Sequence, residues 1–457
     1  MHIHIIGIAG VMTAPLAVAL KKNGHTVTGS DQAKIYPPVS TILKKADIAI
    51  NTLKDYKKID LAIIGSSYLS FSATRQEFDI IKKLNIPYIS ATEYISQNIT
   101  KTNPILIAGT SGKTTITSLI AWILQKANLD PSYMFGGQSL NHIPSLSISN
   151  GNWSVVEGDE SINGLDTKAK FLYYPGKYLI LTSANWEHKE SYHHESDNLK
   201  AFKKLVQKIP ENGLLIINSS GYKTTELSKF STAKVITYNG EKSDYRIIKT
   251  ETSQTSKLTI NSPKGILSFN TALLGRFNFE NILAAVTLCL EIGIDLKIIQ
   301  EAVSSFKGIS RRLEKISIKN NILFYDDFAQ SPQRIKSAID AIKLHYPHQK
   351  IFAYLEPHAT FLLNISGLTG LKEAFVDCTK VVLSKIPFSQ KIPLQSRATA
   401  KHYLAEIGDT LIYIPQNKDL CQYFYKNLKS QNILIHFSSG GEEGLKTFKK
   451  IINFYNK

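Results

Sequence analysis

A glycine-rich turn between an apolar run and a helical pattern constrains this chain more than any other feature of its sequence. Residues Ile105 to Ala108 read as a buried strand, and a helical pattern follows the turn as far as Leu124. The turn and the first helical residues are Gly109, Thr110, Ser111, Gly112, Lys113, Thr114 and Thr115. Such a turn aims backbone N–H groups and a helix N-terminus at an anion, a lysine reaches the terminal phosphates, and a threonine hydroxyl can hold Mg²⁺. The sequence therefore predicts a nucleoside triphosphate site, although the spacing is shorter than the usual Gly-x-x-x-x-Gly-Lys.

Short apolar runs alternate with helical patterns along most of the 457 residues. This alternation is typical of parallel α/β sheets. We expect three domains: an N-terminal Rossmann-like domain over residues 1–100, a central P-loop ATPase domain over 104–308, and a C-terminal Rossmann-like domain over 309–457. The central domain should contain a parallel sheet and a small β region, since residues Val235 to Leu273 are rich in strand formers.

The charge balance suggests a polyanion partner at first sight. Lys and Arg number 54 against 37 Asp and Glu, which gives a net charge of +17. Only seven of the basic residues are Arg, the residue preferred for forked phosphate and base-edge contacts, and the Lys residues are scattered. We therefore expect a Lys-rich solvated surface, and no nucleic-acid partner.

The three cysteines, Cys289, Cys378 and Cys421, lie far apart and have no His beside them. Neither a disulfide framework nor a zinc site is indicated, and a reducing cytoplasm fits this pattern. The N-terminus lacks a basic segment followed by a long apolar core, and no run reaches the ~18 apolar residues of a membrane span. We expect a cytoplasmic protein without membrane insertion, as a monomer or weak dimer.

Polar side chains follow two further strands of the central domain. Glu157 comes directly after the apolar run Trp153 to Val156, and His188 lies shortly after Tyr178 to Leu181. The carboxyl ends of parallel strands are where α/β sheets bind ligands, so Glu157 could take Mg²⁺ and His188 a second metal ion. The alternatives are a solvated acidic loop for Glu157 and a structural or surface role for His188.

Two more motifs point to nucleotides. Asn278 and Asn281 share one face at a helix start, where amides can hydrogen-bond a purine or cap the helix. In the first domain, Gly7 and Gly10 form a reduced glycine pattern between a strand and a helix, and Asp31 ends the next strand. That arrangement suits a ribose or diphosphate ligand.

These motifs, in this order, resemble the Mur ligase family, the ATP-dependent amide ligases of bacterial peptidoglycan assembly. The resemblance spans nearly the whole chain and includes the short Gly-Thr-x-Gly-Lys-Thr loop. It implies that Gly7, Gly10, Ser30 and Asp31 bind a UDP-muramoyl substrate. It implies Mg²⁺ ligation by Thr114, Glu157 and His188, and adenine binding by Asn278 and Asn281. Arg312 and Asp327 match the C-terminal segment that closes over ATP and receives the amine. The residues expected to carry catalysis are Lys113, Glu157, His188 and Arg312.

Within the family, three segments are similar to members that join UDP-N-acetylmuramate to a preformed murein tripeptide. They are Ser30 to Thr41, Asp326 to Ala329 and Leu355 to Pro357. Members that add L-alanine to the same acceptor are the alternative. The chain also departs from the family pattern, which usually has His, Glu, Asp, His-His and Arg at the positions held here by Ser111, Asn185, Glu187, Gln330-Ser331 and His358.

The resemblance implies a ligase that uses ATP and Mg²⁺ to join UDP-N-acetylmuramate to an amino acid or peptide through an acyl phosphate. A second alternative is a catalytically impaired sensor of the UDP-sugar or ATP, because the amine-side histidines are replaced. A folylpolyglutamate or cyanophycin type of ligase shares the phosphate loop but gives no reason for the complete N-terminal segment from Gly7 to Asp31.

Overall fold

The computed structural model describes residues 1–32, 35, 39–51, 55–187, 191–329, 331–389, 392–440 and 442–455. The chain forms two compact units. The first comprises Met1–Thr250, Lys257–Thr271 and Glu280–Lys307, and the second Glu251–Ser256, Ala272–Phe279 and Gly308–Lys457. The α/β class predicted from the sequence is confirmed, because three of the four sheets are built mainly from parallel strands. The boundaries of the three sequence-predicted domains stay predictions.

The first unit begins with a five-stranded parallel sheet in the order β3-β2-β1-β4-β5. Its strands are β1 His2–Ile6, β2 Thr26–Ser30, β3 Ala49–Ile50, β4 Leu61–Ile64 and β5 Tyr88–Ser90. The helices of this part are α1 Thr13–Lys22, α2 Val39–Lys45, α3 Ser72–Lys83 and α4 Ala91–Ile99. The turn between β1 and α1 contains Gly7 and Gly10.

A seven-stranded sheet in the order β12-β11-β10-β6-β9-β7-β8 follows in the same unit. Its strands are β6 Asn103–Ala108, β7 Ser132–Met134, β8 Leu146–Ser147, β9 Trp153–Gly158, β10 Tyr178–Leu181, β11 Leu214–Asn218 and β12 Lys234–Tyr238. The helices are α5 Lys113–Lys126, α6 Glu195–Gln207 and α7 Thr224–Ser228. Because β6 pairs in parallel with both β9 and β10, the segments after these three strands leave the sheet at the same edge.

A separate three-stranded sheet accounts for the rest of the β-rich stretch. Its strands are β13 Arg246–Thr252, β14 Ser256–Ser262 and β15 Gly265–Thr271. Two helices come next, α8 Arg276–Glu291 and α9 Leu296–Ser305, and α9 packs against β15.

The second unit contains a six-stranded sheet in the order β16-β17-β21-β18-β19-β20. Its strands are β16 Glu314–Lys319, β17 Ile322–Asp327, β18 Ile351–Glu356, β19 Cys378–Leu383, β20 Leu411–Tyr413 and β21 Ile433–Ser438. The helices are α10 Pro332–His345, α11 Leu371–Ala374, α12 Ala400–Ile407, α13 Asn417–Asn427 and α14 Glu442–Phe454. Only β16 runs antiparallel to its neighbour.

The strands of this sheet are apolar on both faces. Along β18, Ile351, Ala353 and Leu355 belong to one buried cluster, and Phe352 and Tyr354 belong to another. Alternate side chains of a strand point to opposite faces, so helices must cover both sides of the sheet. This burial explains why β18 reads as a continuous apolar run in the sequence. Among the described helices, none has the length and apolar character that crossing a membrane requires.

Candidate active site

The glycine-rich turn adopts a backbone conformation that its glycines permit. Gly109 and Gly112 have φ angles of 125° and 82°, in the region that side chains disfavour. A Cβ atom at Gly109 would collide with Thr182 and Ser183, and one at Gly112 would collide with the Asn281 side chain. The turn links β6 to the N-terminus of α5, where Lys113 is the first helical residue. This close, side-chain-free backbone at a helix N-terminus fits a phosphate group.

The end of β10 holds the glycine-rich turn in place. The Thr182 hydroxyl donates to the Ser111 carbonyl at 2.8 Å, and the Thr110 N–H donates to the Ser183 carbonyl at 3.1 Å. The Thr110 hydroxyl donates to the Asn185 carbonyl at 3.3 Å. The sequence pointed to His188 in this segment, but His188 lies outside the described residues. The residues that support the turn are the earlier ones of the same segment.

The structure brings Thr114 and Glu157 into contact. The Thr114 hydroxyl donates to Oε1 of Glu157 at 3.0 Å, and the Gly136 N–H donates to Oε2 at 2.6 Å. Glu157 is near the end of β9, which pairs with β6 so that Glu157 lies opposite Ile107. Both side chains offer the oxygen ligands that Mg²⁺ prefers. The donor set therefore fits Mg²⁺, although the described residues contain no group of three or more His, Cys, Asp or Glu placed to hold a metal ion.

Lys113 has two oxygen partners at this edge of the sheet. Its ammonium donates to the Gly109 carbonyl at 2.5 Å and to Oε2 of Glu160 at 2.8 Å. Glu160 is 1% exposed, so this is a buried ion pair. The sequence showed Glu160 only as one of three carboxylates after a strand, and the ion pair with Lys113 became visible only in three dimensions.

Asp159, the third acid of that segment, is also paired. Its carboxylate accepts from Lys170 at 2.8 Å and from the Ser161 backbone at 3.1 Å. Burial alone would raise the pKa of Asp159, but the Lys170 charge and these hydrogen bonds lower it well below its usual range. Asp159 therefore stays ionised and anchors the segment between β9 and the Lys170 helical turn.

The two asparagines of the Asn-x-x-Asn motif are placed at the start of α8. In the first unit, the Asn281 side chain lies against Gly112 of the phosphate-binding turn. In the second unit, the Asn278 amide donates to the Leu274 carbonyl at 2.8 Å. Both side chains are largely buried. Asn281 is thus at the turn, whereas adenine binding by the pair stays a prediction.

In the second unit, the predicted residues Arg312 and Asp327 are each next in sequence to a member of the ion pair between Arg311 and Asp326. Asp327 accepts from the Leu313 N–H at 2.7 Å, and burial raises the pKa of Asp327 to about 7 despite that hydrogen bond and the nearby Arg312 charge. Arg311 binds Asp326 at 2.9 Å and donates to the Ser438 carbonyl at 2.7 Å. The sequence does not show that Arg311 pairs with Asp326, because that contact depends on the fold.

A buried charge cluster joins the ends of three adjacent strands of the second unit. His436 lies 2.8 Å from Asp326 and 3.7 Å from Glu356, and Glu356 also contacts His358 at 3.2 Å and accepts from Ser438 at 2.7 Å. Burial would raise the pKa of Glu356, but its contacts with His358, His436 and Ser438 lower it to about 2. His358, which stands where the family usually has Arg, therefore retains a contact with a carboxylate.

Two further residues at which the chain departs from the family pattern make local hydrogen bonds, Ser331 and Asn185. Ser331 caps the N-terminus of α10, since its hydroxyl accepts from the Arg334 N–H at 3.4 Å. Asn185 accepts a hydrogen bond from the Ser183 hydroxyl. Gln330 lies outside the described residues.

The N-terminal glycine turn is built around Ser30 and Asp31. The Gly7 and Ile8 N–H groups both donate to the Ser30 carbonyl, at 2.8 and 3.0 Å. The Asp31 carboxylate accepts from the Ala9 N–H at 2.8 Å. The hydroxyl of Ser30 points away from this turn and donates to buried Glu77. Gly10 closes the turn by donating to the Gly7 carbonyl at 3.3 Å.

One buried polar atom beside this turn has no hydrogen-bond partner among the described residues. The Ser67 hydroxyl is shielded from solvent, and within the part of the chain that the structure describes it has no hydrogen-bond partner. The hydroxyl oxygen lies 2.6 Å from the position that a Cβ atom on Gly7 would occupy. A buried hydroxyl without a partner is costly, so a polar ligand at Gly7 would satisfy it.

Family models match two parts of the chain. One described as the Mur ligase family, catalytic domain, matches residues 2–102, and one described as the Mur ligase middle domain matches residues 107–289. Two relatives are both named UDP-N-acetylmuramate–L-alanine ligase. The one from Desulfitobacterium hafniense is 27% identical, with 96% of this chain and 97% of the relative covered. The one from Pelagibacter ubique is 31% identical, with 82% and 80% covered.

Solved structures share the fold. The UDP-N-acetylmuramate–alanine ligase of Thermotoga maritima matches with a TM-score of 0.81 at 22% identity, covering 100% of this chain and 99% of that one. A murein peptide ligase from Psychrobacter arcticus matches with a TM-score of 0.68 at 24% identity over the same shares.

The family models, the relatives and the shared fold define an ATP-dependent ligase that forms amide bonds. The chain belongs to the Mur ligase family and has its three-domain fold. Its place is in peptidoglycan biosynthesis, where Mur ligases act on UDP-N-acetylmuramoyl substrates with an amino acid or a peptide.

Proposed function

We propose that this ligase joins L-alanine to UDP-N-acetylmuramate. The observation that carries the choice of amine is the shared name of the two relatives, which cover most of this chain. The sequence motifs favour a preformed murein peptide as the amine, with L-alanine as the alternative. The relatives favour the alternative, while the murein peptide ligase among the solved structures supports the shared fold alone.

The contacts at the end of β6 support the first chemical step. The side-chain-free turn from Gly109 to Gly112 would hold the phosphates of ATP, and the ammonium of Lys113 would bind the γ-phosphate. Thr114 and Glu157 would hold Mg²⁺, with His188 as a further ligand. The bound metal would neutralise phosphate charge. A carboxylate oxygen of UDP-N-acetylmuramate attacks the γ-phosphorus, the bond to ADP breaks, and an acyl phosphate and ADP form.

In the second step the amine nitrogen attacks the acyl carbon and phosphate leaves. The ammonium first gives one proton to solvent, and the second passes to the departing phosphate. Positioning of the reactants and neutralisation of charge dominate such transfers. We propose Gly7, Gly10, Ser30 and Asp31 for the UDP-sugar. We propose Arg312 and Asp327, with Asn278 and Asn281, for the ATP side.

A panel of amines tests this proposal. The purified protein with MgATP and UDP-N-acetylmuramate should release phosphate on addition of L-alanine, with at least about tenfold higher kcat/KM than with the tripeptide L-Ala-γ-D-Glu-meso-diaminopimelate. Lys113→Ala should abolish release. A higher kcat/KM for the tripeptide would favour a murein peptide as the amine substrate. Binding of the ligands without phosphate release, whichever amine is added, would identify a sensor.

A further inference from the structure

The proposed function gives Glu160 no part, yet this carboxylate is in direct contact with the lysine of the phosphate-binding turn. The Lys113 ammonium lies 2.8 Å from Oε2 of Glu160 and 2.5 Å from the Gly109 carbonyl. The side chain of Lys113 is 13% exposed and that of Glu160 is 1% exposed. The cation therefore has an anionic partner inside the protein before any phosphate arrives.

The backbone around Glu160 is held firmly. Its carbonyl accepts from the Tyr192 hydroxyl at 2.5 Å, and the Tyr192 carbonyl accepts from the Trp186 indole at 2.9 Å. The preceding residue, Asp159, is tied to Lys170. These contacts come from three separate segments, so Glu160 is positioned by the fold and not by an exposed loop.

A buried ammonium without a counter-charge is costly, and Glu160 removes that cost when no nucleotide is bound. The terminal phosphate of a nucleotide brings its own negative charge to the same ammonium. Two anions then compete for one cation in a region of low dielectric constant, where their mutual repulsion is strong.

We propose that Glu160 is a positioning residue that holds the Lys113 ammonium between turnovers and yields it to the terminal phosphate of the nucleotide. This inference rests on the proposed assignment of the Gly109–Thr114 turn to ATP. Glu160 lowers the affinity of the site for phosphates, because its carboxylate repels them and because it pairs with Lys113 again when they leave. The carboxylate thereby favours release of ADP and phosphate after each turnover.

The sign of the effect on binding separates this role from a structural one. Replacing Glu160 by Gln keeps the shape of the side chain and removes its charge. A positioning residue that competes with phosphate should make the variant bind nucleotide more tightly. A residue that only maintains the fold should make it bind more weakly or leave binding unchanged.

The test is the Kd of MgADP for the whole protein, measured by isothermal titration calorimetry. We expect Glu160→Gln to lower the Kd about tenfold and to lower kcat, because product leaves more slowly. The control is Asp159→Asn, which removes a charge one residue away that pairs with Lys170 instead of Lys113. It should change the Kd less than about twofold, since a contact effect is local. An unchanged or higher Kd for Glu160→Gln would overturn the proposal.

Two further variants keep the outcomes distinct. Glu160→Ala should also bind MgADP more tightly than the unmodified protein, and failure of both Glu160 variants to fold, measured by thermal melting, would assign Glu160 to structure and overturn the proposal. If Lys113→Ala keeps ATP-dependent phosphate release, the phosphate-site assignment itself fails. If Lys113→Ala is inactive and Glu160→Gln binds no more tightly, only the inference about Glu160 fails.

Discussion

At the scale of single residues, the contact between Thr114 and Glu157 is the one that carries the metal assignment. The hydroxyl and the carboxylate lie 3.0 Å apart, and the Gly136 N–H fixes the other carboxylate oxygen. Two oxygen ligands held this rigidly need little reordering to accept Mg²⁺. Thr117 offers a contrast, because its hydroxyl donates to the Lys113 carbonyl inside α5 and does not contact Glu157.

Replacing Thr114 by Val should therefore raise the Mg²⁺ concentration for half-maximal phosphate release about tenfold, because one ligand is lost from the shell. The measurement is phosphate release against Mg²⁺ concentration at saturating ATP. Thr117→Val is the matched control, because it removes a hydroxyl from the same helix, and its Mg²⁺ dependence should stay that of the unmodified protein. Equal dependence in the two variants would remove Thr114 from the metal site.

A second prediction at this scale concerns Asp327, because burial raises its pKa to about 7 in the folded protein. An unfolded Asp ionises near pH 4, so between about pH 4 and 7 the folded state binds a proton that the unfolded state has lost. The free energy of unfolding therefore falls as pH rises through this window, and this contribution is flat above about pH 7.

Asp327→Asn removes that ionisation. The melting temperature of the variant minus that of the unmodified protein should rise between pH 5 and 8 by about 3 °C or more. Thermal melting in a series of buffers measures the difference. Asp340→Asn is the control, since its carboxylate is half exposed on α10 and its difference should stay flat. A flat difference for Asp327→Asn as well would show that this carboxyl is ionised in the folded protein.

At the scale of elements, the strand–turn–helix unit of β6 and α5 could be predicted from the sequence because its signals are local. The unit consists of an apolar run, then the glycines, then a helical pattern. Each of these signals determines the conformation of residues close to it in sequence. Strands β4 and β10 begin and end where their apolar runs do. No local pattern in the sequence predicts three other strands, because their pairing depends on partners elsewhere in the chain. These are the short strands β7 and β8 and the antiparallel strand β16.

The same unit predicts how its glycines respond to substitution. Gly109→Ala should lower kcat/KM for ATP at least about 100-fold, since the new Cβ would push against Thr182 and Ser183 and close the phosphate cradle. Gly265 is the matched control, because its φ of 101° is also strained for alanine but nothing lies within 4 Å of the added atom. Gly265→Ala should cost only about 1–3 kcal/mol of backbone strain and leave steady-state kinetics intact. A similar loss of activity in both variants would show that backbone strain causes the loss, and not a closed phosphate cradle.

At the scale of the whole molecule, the net charge of +17 gave an ambiguous signal. In the structure several lysines pair with acids three or four residues away, as Lys82 does with Asp79 and Lys200 with Asp197. Exposed pairs of this kind stabilise a fold little and belong to a solvated surface. Among the described basic residues, Lys113, Lys170 and Arg311 form ion pairs that are largely buried. Membership of the Mur ligase family indicates which anionic ligands to expect, whereas the net charge indicates only that a ligand could be anionic.

The sequence by itself determined the α/β class, the glycine-rich strand–turn–helix unit and the family, because these depend on local patterns and on the order of motifs along the chain. Only the tertiary structure decided which side chains meet. Glu160 pairs with Lys113, Arg311 pairs with Asp326, and His436 lies between two carboxylates. The physical reason is that these contacts join the ends of strands far apart in sequence, and the register of the sheet and burial of charge select the partner.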